Sequence, residues 1–205
     1  MDALDKEIIS ALYVSSISDR DTISIIRKKL PVNTDHLQAK IESFVKIGIV
    51  EDDKKTLTDL GRSSIRVVLA GGVFDIIHPG HIHTLRAAKA LGNVLIVVIA
   101  TDQTAKKMKH RFPLHSMELR RDLVNSLLMV DHAIIGHEDD IFKTVALVRP
   151  DIIALGYDQI HQEKFITDGC KKINVNASIA RLQSPIPDIK SSKIENEYGE
   201  SIYRI

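Results

Sequence analysis

The longest uninterrupted apolar run in the chain is Val94-Leu95-Ile96-Val97-Val98-Ile99-Ala100. That run is far too short to cross a bilayer as a helix, which takes about 20 residues. It suits a strand that is buried on both faces, and such strands occur almost only in parallel sheets covered by helices on both sides. The run therefore predicts an α/β fold built around a parallel sheet.

Strand-like and helix-like segments alternate around this run from about Arg66 onward. The expected strands are residues 65–70, 94–100, 132–135, 151–155 and 177–182, and the expected helices are residues 81–91, 116–128, 141–148 and 191–198. Regular alternation of this kind predicts a Rossmann-like, doubly wound parallel sheet whose crossovers are right-handed.

The chain before about residue 65 has a different pattern. Apolar residues at helical spacing predict helices that begin near residues 4, 21 and 33, and the last of these ends at Gly48. A polar turn at residues 51–55 lies between two short strand-like segments and predicts a two-stranded wing. This order resembles a winged helix-turn-helix domain. We therefore expect a small domain over residues 1–64 and a second domain over residues 65–205.

Two roles are open for the winged-helix segment: DNA binding through its third helix, or packing and dimerisation. A duplex binder needs a concentrated basic face. Acidic and basic residues balance within residues 1–66, and the only tight basic cluster there is Arg27-Lys28-Lys29. The formal net charge of the whole chain is +1, which gives no long-range attraction to nucleic acid or to a membrane. We favour the packing role, keep DNA as the alternative and expect no membrane partner.

The single cysteine and the N-terminal sequence indicate the cellular compartment of the protein. Cys170 is the only cysteine, so no disulfide can form within the chain. The sequence also starts without the basic and apolar blocks of a secretory signal. We therefore expect a cytoplasmic protein.

The strongest local pattern joins the first expected strand of the sheet to the helix that follows. It is Gly71-Gly72-Val73-Phe74-Asp75-Ile76-Ile77-His78-Pro79-Gly80-His81. Its glycines let a phosphate approach the backbone, and the helix start that follows attracts anions. Ligands of open α/β sheets bind beyond the carboxyl ends of the strands. We therefore expect a triphosphate at this loop.

Two histidines of the loop are the candidate phosphate donors. His78 and His81 can point the same way across Pro79-Gly80 and donate hydrogen bonds to one phosphate group. Transfer at phosphorus needs such preorganised donors more than it needs covalent help from the protein. A metal cluster with His83 is the rival interpretation, but only Asp75 is near enough to complete the ligand set. We therefore expect no metal site built from protein ligands alone.

The whole segment resembles the HxGH signature of the cytidylyltransferase-like nucleotidyltransferases, and residues 66 to about 195 follow that family in order. Within the family the chain is most similar to the archaeal FAD synthases, and next to the glycerol-3-phosphate cytidylyltransferases. The resemblance implies an enzyme that transfers AMP from ATP to FMN and releases FAD and pyrophosphate. It also implies Mg²⁺ bound with the triphosphate.

The resemblance also implies which residues form the site. Those that act on the reacting phosphates would be His78, His81, Lys109 and Arg120. Those that bind the nucleotide would be Gly72, Val73, Phe74, His78, His81, Gly156, Asp158, Gln159, Ser191 and Ser192. Near the acceptor would lie Asp75, Asp102 and Arg111, although Asp75 could instead order the loop.

Two details of the sequence bear on the choice of substrate. Leu155-Gly156-Tyr157-Asp158-Gln159 is similar to the Leu-Gly-x-Asp-Gln turn of the archaeal FAD synthases, and it favours ATP and FMN. Phe112, in contrast, stands where relatives often carry another basic residue. That departure leaves the number of phosphate contacts open.

Two other functions stay open. One is a CTP-dependent cytidylyltransferase that acts on glycerol 3-phosphate or a similar phosphorylated alcohol, although no Arg-Thr-Glu-Gly stretch precedes Ser191. The other is a regulator whose winged helix binds DNA while the second domain senses a nucleotide. The retained histidines and basic residues argue against a domain without activity. A homodimer is compatible with each of these functions.

Overall fold

The computed structural model describes residues 1–156, 159, 162–183, 194 and 197. Its helices are α1 (Ala3–Ser16), α2 (Thr22–Arg27), α3 (Thr34–Lys46), α4 (Asp59–Ser63), α5 (Pro79–Lys89), α6 (Asp102–Lys109), α7 (Met117–Asn125), α8 (Ile141–Val148) and α9 (Glu163–Lys172). Its strands are β1 (Val67–Gly72), β2 (Val94–Ile99), β3 (His132–Ile135), β4 (Ile152–Leu155) and β5 (Ser178–Arg181). The helix expected at residues 191–198 lies largely outside the described residues.

The five strands form one parallel sheet in the order β3-β2-β1-β4-β5, which confirms the predicted α/β architecture. Strand β1 is central, with Val67 opposite Val94 of β2 and Val68 opposite Ile152 of β4. Strands β2 and β3 therefore lie on one side of β1, and β4 and β5 lie on the other. Ligands of such sheets bind at the crevice where the strand order reverses, which here lies between the carboxyl ends of β1 and β4.

Successive residues of the central strand enter two different cores. Val67 and Leu69 join one buried cluster with α8, α9 and the N-terminal helices, and Val68 joins another with Leu85 of α5 and Val124 of α7. This alternation follows from the period of two of a strand. Both faces of the sheet are thereby covered. Among the described residues, no helix is long and apolar enough to cross a membrane.

Two helices of the second part of the chain are missing from the sequence prediction. Helix α6 is strongly polar, and Ala105 is its buried residue, so it shows little apolar periodicity. Helix α9 contains Gly169, which disfavours a helix when judged from sequence alone. A Cβ at Gly169 would lie 1.8 Å from the Cζ of Phe142 on α8. The glycine is therefore needed for close packing of α8 and α9.

The N-terminal segment forms three helices that begin near the expected positions. Each has a side-chain cap, from Asp2, Asp21 and Asn33 respectively. The expected wing is reduced in the described structure to one antiparallel bridge between Val50 and Leu57. The winged-helix assignment and the division at residue 64 stay predictions.

The basic cluster of the N-terminal segment contacts the sheet domain. Lys28 donates to the backbone carbonyls of Asn125 and Val130 at 2.5 and 2.9 Å. Lys29 forms an ion pair with Asp131, which also accepts from Lys89 at 2.6 Å. These contacts lie at the amino end of β2, where the backbone N–H of Leu95 also donates to Asp131. Two of the three cationic side chains are thus engaged inside the protein, which favours the packing role over DNA binding.

Asp131→Ala should destabilise the protein by about 3–5 kcal/mol, because it removes the buried carboxylate that half-buried Lys29 and Lys89 share and leaves Lys29 with Glu7 alone. Asp131 is itself only 4% exposed. The free energy of unfolding in urea measures the effect. Asp52→Ala, in an exposed turn, is the control and should change it by less than about 0.5 kcal/mol. Equal stability of the two variants would show that the cluster does not hold the two parts of the chain together.

Candidate active site

The predicted site residues converge on the carboxyl edge of the sheet. Gly72 ends β1, Thr101 caps α6 directly after β2, and Gly156 follows β4. Parallel strands bring these three ends to the same side of the molecule. The HxGH loop, residues 71–81, starts at the end of β1, which is the central strand of the sheet. The docked N-terminal lysines, by contrast, lie at the opposite edge, so they do not approach the site.

The loop places two imidazoles at the start of α5. His78 is the N-cap residue and Pro79 the first helical residue, so the helix begins two residues before the predicted start at His81. The ring centroids of His78 and His81 lie 3.9 Å apart. The Nδ1 atoms of both rings are buried and have no hydrogen-bond partner within the described part of the chain. The two rings are therefore close-packed and keep free hydrogen-bonding capacity, and their contact with a phosphate stays a prediction.

A strained residue supports this histidine pair. Phe74 is buried and has a φ of +53°, a conformation that costs a non-glycine residue on the order of 1 kcal/mol. Its ring folds back against the loop and lies 5.1 Å from the ring of His81. A Cβ at Gly72 would lie 2.8 Å from the Cε2 of Phe74. Gly72 therefore makes room for the aromatic ring, and its expected role in phosphate approach stays a prediction.

Both imidazoles are held in the neutral form in the free protein. Burial is the main cause that lowers the pKa of His81 to about 4, and the neighbouring His78 and Lys109 lower it further. Burial and then Lys109 also lower the pKa of His78. Lys109, at the end of α6, is exposed, yet its ammonium is close enough to act on both rings. Lys109 thus acts electrostatically on the two histidines, and its contact with a phosphate stays a prediction.

This neutrality predicts a pH dependence of stability. In the unfolded chain a histidine has a pKa of about 6.5, so between pH 6.5 and 4 the unfolded state binds a proton that folded His81 does not. The free energy of unfolding should therefore fall as the pH drops through this range. His81→Gln, which cannot titrate, should show a smaller fall between pH 7 and pH 5. His36→Gln, exposed on α3, should behave as wild type, and an equal fall in all three proteins would contradict the prediction.

Asp75 holds the segment that follows α6. Its carboxylate is 5% exposed and accepts from the backbone N–H groups of Leu114 and His115 at 2.9 and 3.1 Å. It also accepts from both terminal nitrogens of Arg111 at 3.2 Å. Of the two roles left open by the sequence, the structure favours loop ordering over acceptor contact. Asp75 ties residues 111–115 to the end of β1.

Arg120 differs from its predicted role. It is 0% exposed, and its guanidinium donates to the carbonyls of His115, Val73 and Ala100. It also donates to Asp102 at 2.6 Å. These acceptors come from three separate segments of the site edge. Such a guanidinium has no exposed surface for a phosphate, so we assign Arg120 a positioning role, and Asp102 is its partner on α6.

The turn after β4 is described only in part. The side-chain oxygen of Gln159 accepts from the backbone N–H of Gly156 at 2.9 Å, so this side chain stabilises its own turn. Asp158, Ser191 and Ser192 lie outside the described residues, and their roles stay predictions. Within the described ranges, no group of three or more His, Cys, Asp or Glu side chains is placed to hold a metal ion.

Comparison with known proteins shows the family to which the chain belongs. Residues 69–197 match the family model described as cytidylyltransferase-like. The chain belongs to the cytidylyltransferase-like family. The matched residues include the HxGH loop and the five described strands, apart from the first two residues of β1. The N-terminal helices α1–α4 lie outside it.

The chain is similar to several archaeal proteins over the part that contains this domain. The chain is 52% identical to the FAD synthase of Picrophilus torridus over 125 residues, which cover 61% of this chain and 89% of that relative. It is 48% identical to the FAD synthase of Thermoplasma acidophilum over 127 residues, 62% of this chain and 89% of the relative. The crystal structure of the lipopolysaccharide core biosynthesis protein from Thermoplasma volcanium GSS1 is 43% identical, with a TM-score of 0.56, and covers 58% of this chain and 98% of that one.

Two features of this cytidylyltransferase-like site are not predicted from the sequence. They are the burial of Arg120 and the packing of Phe74 against His81. Loop ordering by Asp75 is one of its two expected roles, but its partners at residues 111–115 are not predicted. The Phe-Asp pair of the motif is the signal that could have indicated both roles.

Proposed function

We propose that this nucleotidyltransferase is an FMN adenylyltransferase, which joins ATP and FMN to give FAD and pyrophosphate. The observation that carries the proposal is the close pair of His78 and His81 at the start of α5, in a chain whose relatives are FAD synthases. The pair lies at the reversal point of the sheet, where a nucleotide is expected. The N-terminal helices take no part in this proposal.

The chemistry needs no side-chain nucleophile. The terminal phosphate of FMN is anionic near neutral pH, and one of its oxygens attacks the α-phosphorus of ATP. The new P–O bond forms in line with the bond to the departing pyrophosphate, which leaves with its electron pair. The protein must orient the two phosphates and stabilise the charge that develops on their oxygens. Neutral His78 and His81 do this by donating N–H hydrogen bonds, and Lys109 adds positive charge.

We propose that Mg²⁺ arrives with the triphosphate. Magnesium is usually held by substrate phosphates, water and at most one or two carboxylates. Two carboxylates at this edge of the sheet, Asp75 and Asp102, are already paired with Arg111 and Arg120. This arrangement suits a cation that is bound mainly by phosphate oxygens and whose charge offsets that of the triphosphate. We place the reaction in the cytoplasm, where ATP is available.

Pyrophosphate release with paired substrates tests the choice of acceptor and base. The pairs are ATP with FMN, CTP with FMN, ATP with glycerol 3-phosphate and CTP with glycerol 3-phosphate, each with Mg²⁺. We expect release with ATP and FMN to exceed the other three by at least about 100-fold, because a site built to hydrogen-bond one substrate strongly rejects its analogues. Release with CTP and glycerol 3-phosphate alone would identify a glycerol-phosphate cytidylyltransferase instead.

A further inference from the structure

The segment between α6 and α7 combines basic and apolar side chains at the edge of the site. Lys106, Lys109 and Arg111 supply positive charge, while Met108, Phe112 and Leu114 are 50%, 52% and 38% exposed. Exposed apolar side chains that occur together, rather than singly, are the kind of surface feature that marks a binding site. A ligand that covers them must itself carry both an anionic and an apolar part.

Phe112 is the most specific element of this segment. The ammonium of Lys106 lies 4.2 Å from the centroid of the Phe112 ring, which is a cation–π distance. Lys106 therefore covers one face of the ring. The Nη1 of Arg111 donates to the backbone carbonyl of Phe112 at 2.6 Å. Arg111 is in turn bound to buried Asp75, which also holds Leu114 and His115. The half-exposed ring is therefore held at a fixed place relative to the end of β1.

The same segment is bound to the loop that carries the histidine pair, because Arg111 contacts Asp75, which precedes His78 by three residues. Lys109 acts electrostatically on both His78 and His81, and Phe112 follows it by three residues. FMN has two parts that match the basic and the apolar side chains of this segment. Its phosphate is an anion, and its isoalloxazine is a broad, planar, largely apolar ring system. Glycerol 3-phosphate has no part that would cover a phenyl ring.

We propose that Phe112 is the stacking platform for the isoalloxazine ring of FMN, an inference that rests on the proposed function. The ring of Phe112 stacks on the flavin through the face that Lys106 leaves open, while Lys109 and the histidine pair receive the flavin's phosphate. Phe112 thus sets acceptor specificity, and the nucleotide is bound without it.

Steady-state kinetics of substituted proteins test the proposal. Phe112→Ala should raise the KM for FMN about tenfold, because an aromatic stacking contact contributes on the order of 1 kcal/mol beyond the apolar surface it buries. Its KM for ATP should stay within about twofold of wild type. Phe165→Ala is the matched control, since Phe165 is 58% exposed on α9 and packs against Phe142. It should leave both KM values unchanged.

A spectroscopic measurement separates this inference from the proposed function. Phe112→Trp should bind FMN and quench its fluorescence more strongly than wild type does, since a stacked indole quenches an excited flavin. The titration needs no turnover. If wild type binds FMN in a Phe112-dependent way but forms no FAD, the proposed function fails and the platform stands. The platform is overturned if Phe112→Ala binds FMN as wild type does, if both KM values rise together, or if wild type binds no FMN.

Discussion

Replacing His81 by alanine is expected to lower kcat by about 10²–10³, the usual effect of removing one preorganised donor to a charged transition state. The imidazole is packed between His78 and Phe74, with ring centroids 3.9 and 5.1 Å away. Its position is thus set before the substrate binds. Because the donor acts mainly when charge develops on the phosphate oxygens, kcat should fall more than the affinity for ATP.

His83→Ala is the matched control for this variant. His83 is exposed on the same helix, two residues further on, and should have kcat within about twofold of wild type. Circular dichroism and the unfolding midpoint of both variants establish that the fold is retained. A kcat of His81→Ala close to that of wild type, in a folded protein, would remove His81 from the chemistry.

Replacing Arg120 by alanine is expected to destabilise the protein by about 3–5 kcal/mol, since it leaves the partly buried carboxylate of Asp102 and three carbonyl oxygens without their donor. For a chain of this size the unfolding midpoint should fall by roughly 10 °C. Arg120→Lys should not restore it, because a single ammonium cannot reproduce the planar fork of a guanidinium. Thermal unfolding measures both.

The neighbouring Arg121 provides the comparison. Arg121 is partly exposed and pairs with Asp122 on the helix surface, so Arg121→Ala should change the midpoint little. The result also separates two roles for Arg120. Loss of activity with an unchanged unfolding midpoint would support the direct phosphate contact that the sequence predicts and would contradict the positioning role seen in the structure.

The parts of this fold that the sequence predicts well are those specified by local patterns. The bounds of β3 and α8 agree with prediction because each is a short apolar run with its own boundaries, such as the Asp140 cap of α8. The histidine pair is equally local, since Pro79 and Gly80 alone fix the turn between the two rings. For the same reason, the reaction class followed from the motif.

The parts that the sequence does not predict depend on partners far along the chain. Whether Arg120 faces substrate or core is decided by acceptors in Val73 and Ala100, and no pattern around Arg120 indicates them. The same holds for Lys29, whose partner Asp131 lies about one hundred residues away in sequence. Helix α9 is a third case, because its Gly169 is explained only by Phe142 on another helix.

Direct detection of the product tests the central claim most directly. The full chain is incubated with ATP, FMN and Mg²⁺, and FAD and pyrophosphate are quantified by chromatography and a coupled assay. We predict that FAD and pyrophosphate form in equal amounts and that both depend on His81. Absence of FAD from folded protein, with Mg²⁺ and with other divalent metals in its place, would contradict the assignment of this chain as an FMN adenylyltransferase.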